Sequence, residues 1–191
     1  MASDGDLADA EQSEPKFVLQ PTLNDKLREI GHQAVWSLSS CKPGYGVEQL
    51  RDGNLDTYWQ SDGPQPHLVN IKFRRKTLVQ NVCIFVDYKS DESYTPSKLC
   101  IRAGNCLDSL RQVDVIELLD EPSGWLVVPV GGKTKLPLKT FMIQIAVLTN
   151  HQNGRDTHLR QIKLHAPPNE MVSQKIPNYT TVEFSMYSTI R

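Results

Sequence analysis

Apolar residues recur at every second position in short runs along this chain. Val69, Ile71 and Phe73 alternate after His67. Val82, Ile84 and Val86 alternate with Asn81, Cys83 and Phe85, so this run is apolar on both faces and belongs inside a sheet. Lys98–Arg102 carries Leu99 and Ile101 on one face, and Gln112–Leu119 and Trp125–Val130 are further candidates. The clearest run is Thr140–Leu148, with Phe141, Ile143, Ile145 and Val147 on one face; Leu159–His165 closes the set. A period of two over such lengths predicts strands. Turn residues separate the runs at Asp52-Gly53-Asn54, Asp62-Gly63-Pro64, Pro122-Ser123-Gly124 and Gly131-Gly132. Seven or eight short strands with turns between them predict an all-β sandwich or jelly roll. No repeat, heptad or membrane-length apolar stretch interrupts the pattern.

Between the second of these turns and the first lies Tyr58-Trp59. Trp59 is read as a plug for one end of the core, since a large aromatic after a turn is most often there for packing. The chain of 191 residues suits one domain with tails. Residues 1–25 are expected to be a disordered acidic tail: positions 1–15 hold Asp4, Asp6, Asp9, Glu11 and Glu14 and no base, which leaves a formal +4 on the rest of a −1 chain. Residues 26–166 form the domain, and residues 167–191 form a flexible polar tail with one alternating piece, Val182-x-Phe184-x-Met186. The balanced charge gives no general case for nucleic acid or membrane binding. The cluster Lys72, Arg74, Arg75 and Lys76 lacks interleaved aromatics and reads as a solvated turn at a strand end. Cys41, Cys83, Cys100 and Cys106 form no C-x-x-C pair and read as reduced thiols. With no secretory signal evident, the nucleus and cytoplasm are the expected locations.

Two loops are richer in polar groups than turns require. One is Asp87 to Pro96, with Ser90, Asp91, Glu92, Ser93 and Tyr94; the other is Asn150 to His158, with His151, Asp156 and His158. In a jelly roll the loops at one end cluster, and since both of these follow a strand, a shared end is open to them. His151, Asp156 and His158 are metal-ligand types, but their spacing matches no metal motif. A His–Asp base lacks a Ser or Cys nucleophile in a recognisable turn, so no enzyme is expected, and no metal or cofactor. A purely structural, hydrogen-bonded loop and a loop that binds a peptide or a sugar remain as readings.

The segments Val35–Gly44, Leu50–Gly63, Tyr88–Lys98, Phe141–Val147 and Asn150–His158 closely resemble the DOC-domain subunits of the anaphase-promoting complex, the cyclosome. The resemblance covers about residues 26–166 and the terminal Ile190-Arg191. It implies a jelly roll of the galactose-binding type and a non-enzymatic subunit of a ubiquitin ligase that controls mitotic progression. That subunit would act with a WD40 coactivator on destruction-box substrates such as mitotic cyclins. It implies a degron-binding loop at Asn150, His151, Asp156 and His158, a second wall at Ser90–Tyr94, and docking of Ile190 and Arg191 into a tetratricopeptide-repeat scaffold subunit. A carbohydrate-binding module of the same fold is the alternative, and a His–Asp hydrolase a third.

Overall fold

The computed structural model describes residues 27–131 and 136–168. The acidic tail, the alternating piece around Phe184 and the pair Ile190-Arg191 lie outside the described residues. Eleven strands run in chain order among those described: β1 Arg28–Glu29, β2 Ala34–Leu38, β3 Trp59–Gln60, β4 His67–Val79, β5 Asn81–Asp87, β6 Pro96–Gly104, β7 Arg111–Glu117, β8 Ser123–Pro129, β9 Leu138–Asn150, β10 His158–Leu159 and β11 Gln161–Ala166. They form a jelly-roll sandwich of two main sheets, ordered β1-β11-β5-β8 and β2-β4-β9-β6-β7, with a small β10-β3 ladder at one end. All pairs are antiparallel.

The core is where the alternating residues of the two sheets meet. Val69, Ile71, Ile143 and Ile145 come from the five-stranded sheet, and Val82, Ile84, Leu126 and Leu164 from the four-stranded one; all are buried. Strand β5 is apolar on both faces because its outer face is covered too. Phe85 meets Trp125 edge-on at 5.4 Å, Cys83 Sγ lies 3.4 Å from His165 Nδ1, and burial pushes the Cys83 thiol up to about 12. Trp59 is fully buried, and its indole N–H donates to the Ser40 carbonyl at 3.0 Å. It plugs one end of the sandwich.

The Asp52-Gly53-Asn54 turn forms as its residues dictate. Gly53 takes φ +79°, the Asn54 N–H donates to Asp52 Oδ1 at 2.8 Å, and the Asp56 N–H to Asn54 Oδ1 at 3.0 Å. Gln161 locks the turn to β11: its side-chain amide donates to Asp52 Oδ1, and its carbonyl accepts from the Gly53 N–H.

Three readings of the strands need correction. The last run is two strands, β10 and β11, which pair with different partners and break at Arg160. Ser123 and Gly124 are not a turn but the first residues of β8, opposite Asp87 and Val86. The basic cluster does not end a strand either. It lies inside β4 at a register break, where residues 73–76 stand between the Lys72↔Met142 and Thr77↔Thr140 pairs while β9 contributes Phe141 alone. In each case long-range pairing, invisible in local pattern, set where the strand begins, breaks or continues.

Candidate functional site

The two polar loops meet at one end of the sandwich. The first leaves β5 at Asp87, whose carboxylate accepts hydroxyl protons from Ser90 at 2.6 Å and Ser123 at 2.8 Å. The Ser90 bond leads in holding that carboxyl below the usual range. One helical turn, α1 (Tyr88–Asp91), follows, and then a 3-10 turn over Glu92–Tyr94. The second loop leaves β9 at Asn150 and folds a 3-10 turn over His151–Asn153. Contacts join them. The His151 N–H donates to the Thr95 carbonyl at 2.9 Å, and the Gln152 amide to the Tyr88 hydroxyl at 3.0 Å. The Tyr88 and His151 rings meet edge-on at 5.1 Å. Gly154 lies so close to the Ser93 carbonyl that a Cβ there would collide with it.

The conformation is strained on both sides of this seam. Among the described residues, the three non-glycine residues with positive φ are Glu92 (45°), Gln152 (51°) and Asn153 (57°). All three lie in these loops. Such backbone costs about 1–3 kcal/mol per residue and persists only where the surroundings over-determine it.

Beneath the seam is a buried ion pair. Arg160 Nε and Nη2 each donate at 2.8 Å to one oxygen of Asp91, and Nη1 donates to the Leu55 carbonyl at 2.7 Å. His158 Nδ1 lies 3.1 Å from Asp91 Oδ1, which places the proton on Nδ1. Burial pushes the Asp91 carboxyl up, but the hydrogen bonds from His158 and Arg160, with the guanidinium charge, outweigh it and hold the group below the usual carboxylate range. The Asp91 bond likewise raises Arg160. The His158 ring stacks on Tyr58 at 4.1 Å and on Tyr94 at 4.2 Å, and Tyr58 stacks on Tyr45 at 5.2 Å. Tyr45, Leu55 and Tyr94 are each between a third and two fifths exposed, which gives this end an apolar rim.

The nine loop residues singled out from sequence therefore divide. Asp91 (5% exposed), Asn150 (5%) and His158 (9%) are buried, which corrects the expectation of one exposed turn. Asn150 works inside its own loop, its amide donating to the carbonyls of Gly154 at 3.2 Å and Asp156 at 2.8 Å. Ser90, Glu92 and Tyr94 are exposed, and Ser93, His151 and Asp156 are half-buried. Burial lowers the His151 pKa, and its Nε2 is enclosed without a hydrogen-bond partner. Sequence reasoning missed Arg160, Tyr58, Tyr45 and Leu55. Arg160 carried no distinguishing local signal, because it stands beside Gln161 in a run that also holds Lys163 and His165.

Chemically this arrangement offers a preorganised surface. The carboxylate partner of His158 is Asp91, not Asp156, and the free ring nitrogen Nε2 is enclosed between tyrosines. Among the described residues no three His, Cys, Asp or Glu side chains converge to hold a metal ion.

The chain matches the family described as "Anaphase-promoting complex, subunit 10 (APC10)" over residues 4–189. It is 64% identical over 165 residues to the Homo sapiens anaphase-promoting complex subunit 10, covering 86% of this chain and 89% of that protein. The Drosophila melanogaster protein of the same name is 50% identical over 186 residues, 93% of each chain. Among solved structures, the family 32 carbohydrate-binding module of C. perfringens NanJ, in complex with galactose, superposes with a TM-score of 0.60 at 15% identity, over 73% of this chain and 98% of that one. At that identity the likeness is one of fold.

Proposed function

Because this chain belongs to the anaphase-promoting complex subunit 10 family, we propose that it is a non-catalytic substrate-recognition subunit of that ubiquitin ligase. It binds destruction-box degrons beside a WD40 coactivator and so raises processivity. The observation that supports this reading most is the strained seam between the two loops. Glu92, Gln152 and Asn153 are held at positive φ over a buried ion pair, on a rigid scaffold, with polar and aromatic groups left exposed around them. Strain maintained at a surface of this kind marks preorganisation for a ligand. An Arg-x-x-Leu segment fits its chemistry: the exposed Glu92 carboxylate suits a guanidinium, and the rim of Tyr45, Leu55 and Tyr94 suits a branched apolar side chain.

The exposed and half-buried residues, not the buried ones, carry the test. In the reconstituted ligase, Glu92→Gln combined with Tyr94→Ala and His151→Ala should leave assembly intact. Degron-dependent binding and processive ubiquitination should fall at least tenfold, the loss of about one charge-assisted contact. Unchanged binding would refute the reading. Docking on a tetratricopeptide-repeat subunit through Ile190 and Arg191 belongs to the same proposal. A peptide of residues 181–191 should bind the isolated repeat subunit at least tenfold more tightly than one ending at Thr189. The proposed location is the nucleus and cytoplasm.

A further inference from the structure

At the other end of the sandwich from the loops, β4 throws three consecutive cations outward. Arg74, Arg75 and Lys76 are all exposed, and they fall within the register break against β9. Arg74 lies seven steps along the extended strand from His67, which adjoins the loop end through its 2.8 Å bond to the Arg155 carbonyl, so the two ends lie about 24 Å apart. Two cavities open here, of about 390 Å³ and 330 Å³, and they share Gln33, Arg75 and Thr77 in their walls. The first adds His32, Arg74 and the exposed Val35; the second adds Arg28, Lys76 and Lys139. No carboxylate lines either cavity. The nearby Glu29 is engaged by the Gly31 N–H at 2.6 Å and faces His32 at 3.5 Å. Among the described residues no ion pair involves Arg74, Arg75 or Lys76.

The chain itself carries the complementary charge next door. Arg28, a wall of the groove, is preceded by a segment whose first fifteen residues hold five acids and no base. Glu14 precedes Arg28 by fourteen residues, a reach of about 45 Å when extended, so every acid from Asp4 to Glu14 can arrive at the groove without strain. Tethering also gives a short segment an effective concentration in the millimolar range, enough to fill a weak site.

We propose that the acidic N-terminal segment, residues 1–15, docks intramolecularly on the basic groove formed by Arg28, Arg74, Arg75, Lys76 and Lys139. The segment covers the cations that the β4 bulge exposes. It thereby excludes other polyanions from this end of the domain while leaving the loop end free.

The test compares amide NMR spectra of the full chain with those of a variant in which Asp4, Asp6 and Asp9 are Asn and Glu11 and Glu14 are Gln. In about 0.1 M salt, shifts outside residues 1–15 should be confined to the groove, at Arg28, His32–Ala34, Arg74–Thr77 and Lys139. They should fade toward about 1 M, as the screening length falls from about 10 Å to about 3 Å. A synthetic peptide of residues 1–15 added to the neutralised variant should restore them. The double variant Arg75→Gln/Lys76→Gln, with a native tail, should lose the salt dependence. Superimposable spectra at residues 74–77 in low salt would overturn the proposal and leave the groove to an acidic segment of another protein. Shifts that vanish on tenfold dilution would overturn it in favour of a second copy of this chain.

Discussion

Arg160 clamps Asp91 with two parallel N–H donors, each 2.8 Å from one carboxylate oxygen, and both residues are almost fully buried. The pair ties the loop after β5 to the joint between β10 and β11, residues 69 positions apart. Breaking a buried pair by removing one partner strands the other charge, at about 3–5 kcal/mol. Asp91→Ala should therefore lower the free energy of unfolding by about that much, read from urea titration. A loss under about 1 kcal/mol, the value of an exposed pair, would contradict the burial.

The same carboxyl sets an acid limit. Its folded-state pKa lies below the ordinary value of about 3.9, so its stabilising contribution is fully present above that value and is lost as pH falls through the folded-state pKa. The urea midpoint should fall steeply below about pH 4, and Asp91→Asn should show a shallower fall over the same interval. Asp52 and Asp87, where hydrogen bonds outweigh desolvation and also hold the carboxyl below its usual range, retain part of the slope in that variant. Identical profiles for the two proteins would refute the assignment.

Within one loop, two side chains should behave oppositely. Asn150 is buried and binds two carbonyls of its own loop, so Asn150→Ala should cost about 1–3 kcal/mol. Arg155 is exposed and, among the described residues, only its backbone carbonyl is bonded, so Arg155→Ala should stay within about 0.5 kcal/mol of the native chain. Thermal melts decide between this and a uniformly tolerant loop.

Trp59 fills the end of the core and uses its N–H on Ser40. Trp59→Ala should cost about 3–5 kcal/mol and give a largely unfolded chain. A cooperative melt near the native temperature would show that the indole is not needed for packing.

The Asp52 carboxylate is already filled by donors: the Thr57 hydroxyl at 2.6 Å, the Asn54 N–H at 2.8 Å and the Gln161 amide at 2.7 Å. Chelator should leave the melting temperature unchanged. A drop of several degrees would place a cation at Asp52 and Asp56.

The amino-acid pattern by itself determined the sandwich and the middle of its long strands, though not every strand end. Alternation at Val69–Phe73, Val82–Val86 and Ile143–Val147 is a local property, because successive side chains of a strand point to opposite faces whatever lies beyond. The Asp52-Gly53-Asn54 turn was legible for the same reason, since its bonds span two residues. That the two polar loops share one end stayed open, because antiparallel strands send the loops after them to either end, and the pairing of the sheets decided it. Which of their residues face outward did not. Asp91 and His158 read as surface polar groups until Arg160 and the tyrosines are brought over them, and a carboxylate is stable inside only when a partner 69 residues away arrives to pair it. Likewise, three cations in a row read as a turn, and only pairing with β9 decided that they bulge from a strand. Local periodicity fixes where a chain extends; burial and charge pairing depend on distant partners, and the tertiary fold alone supplies those.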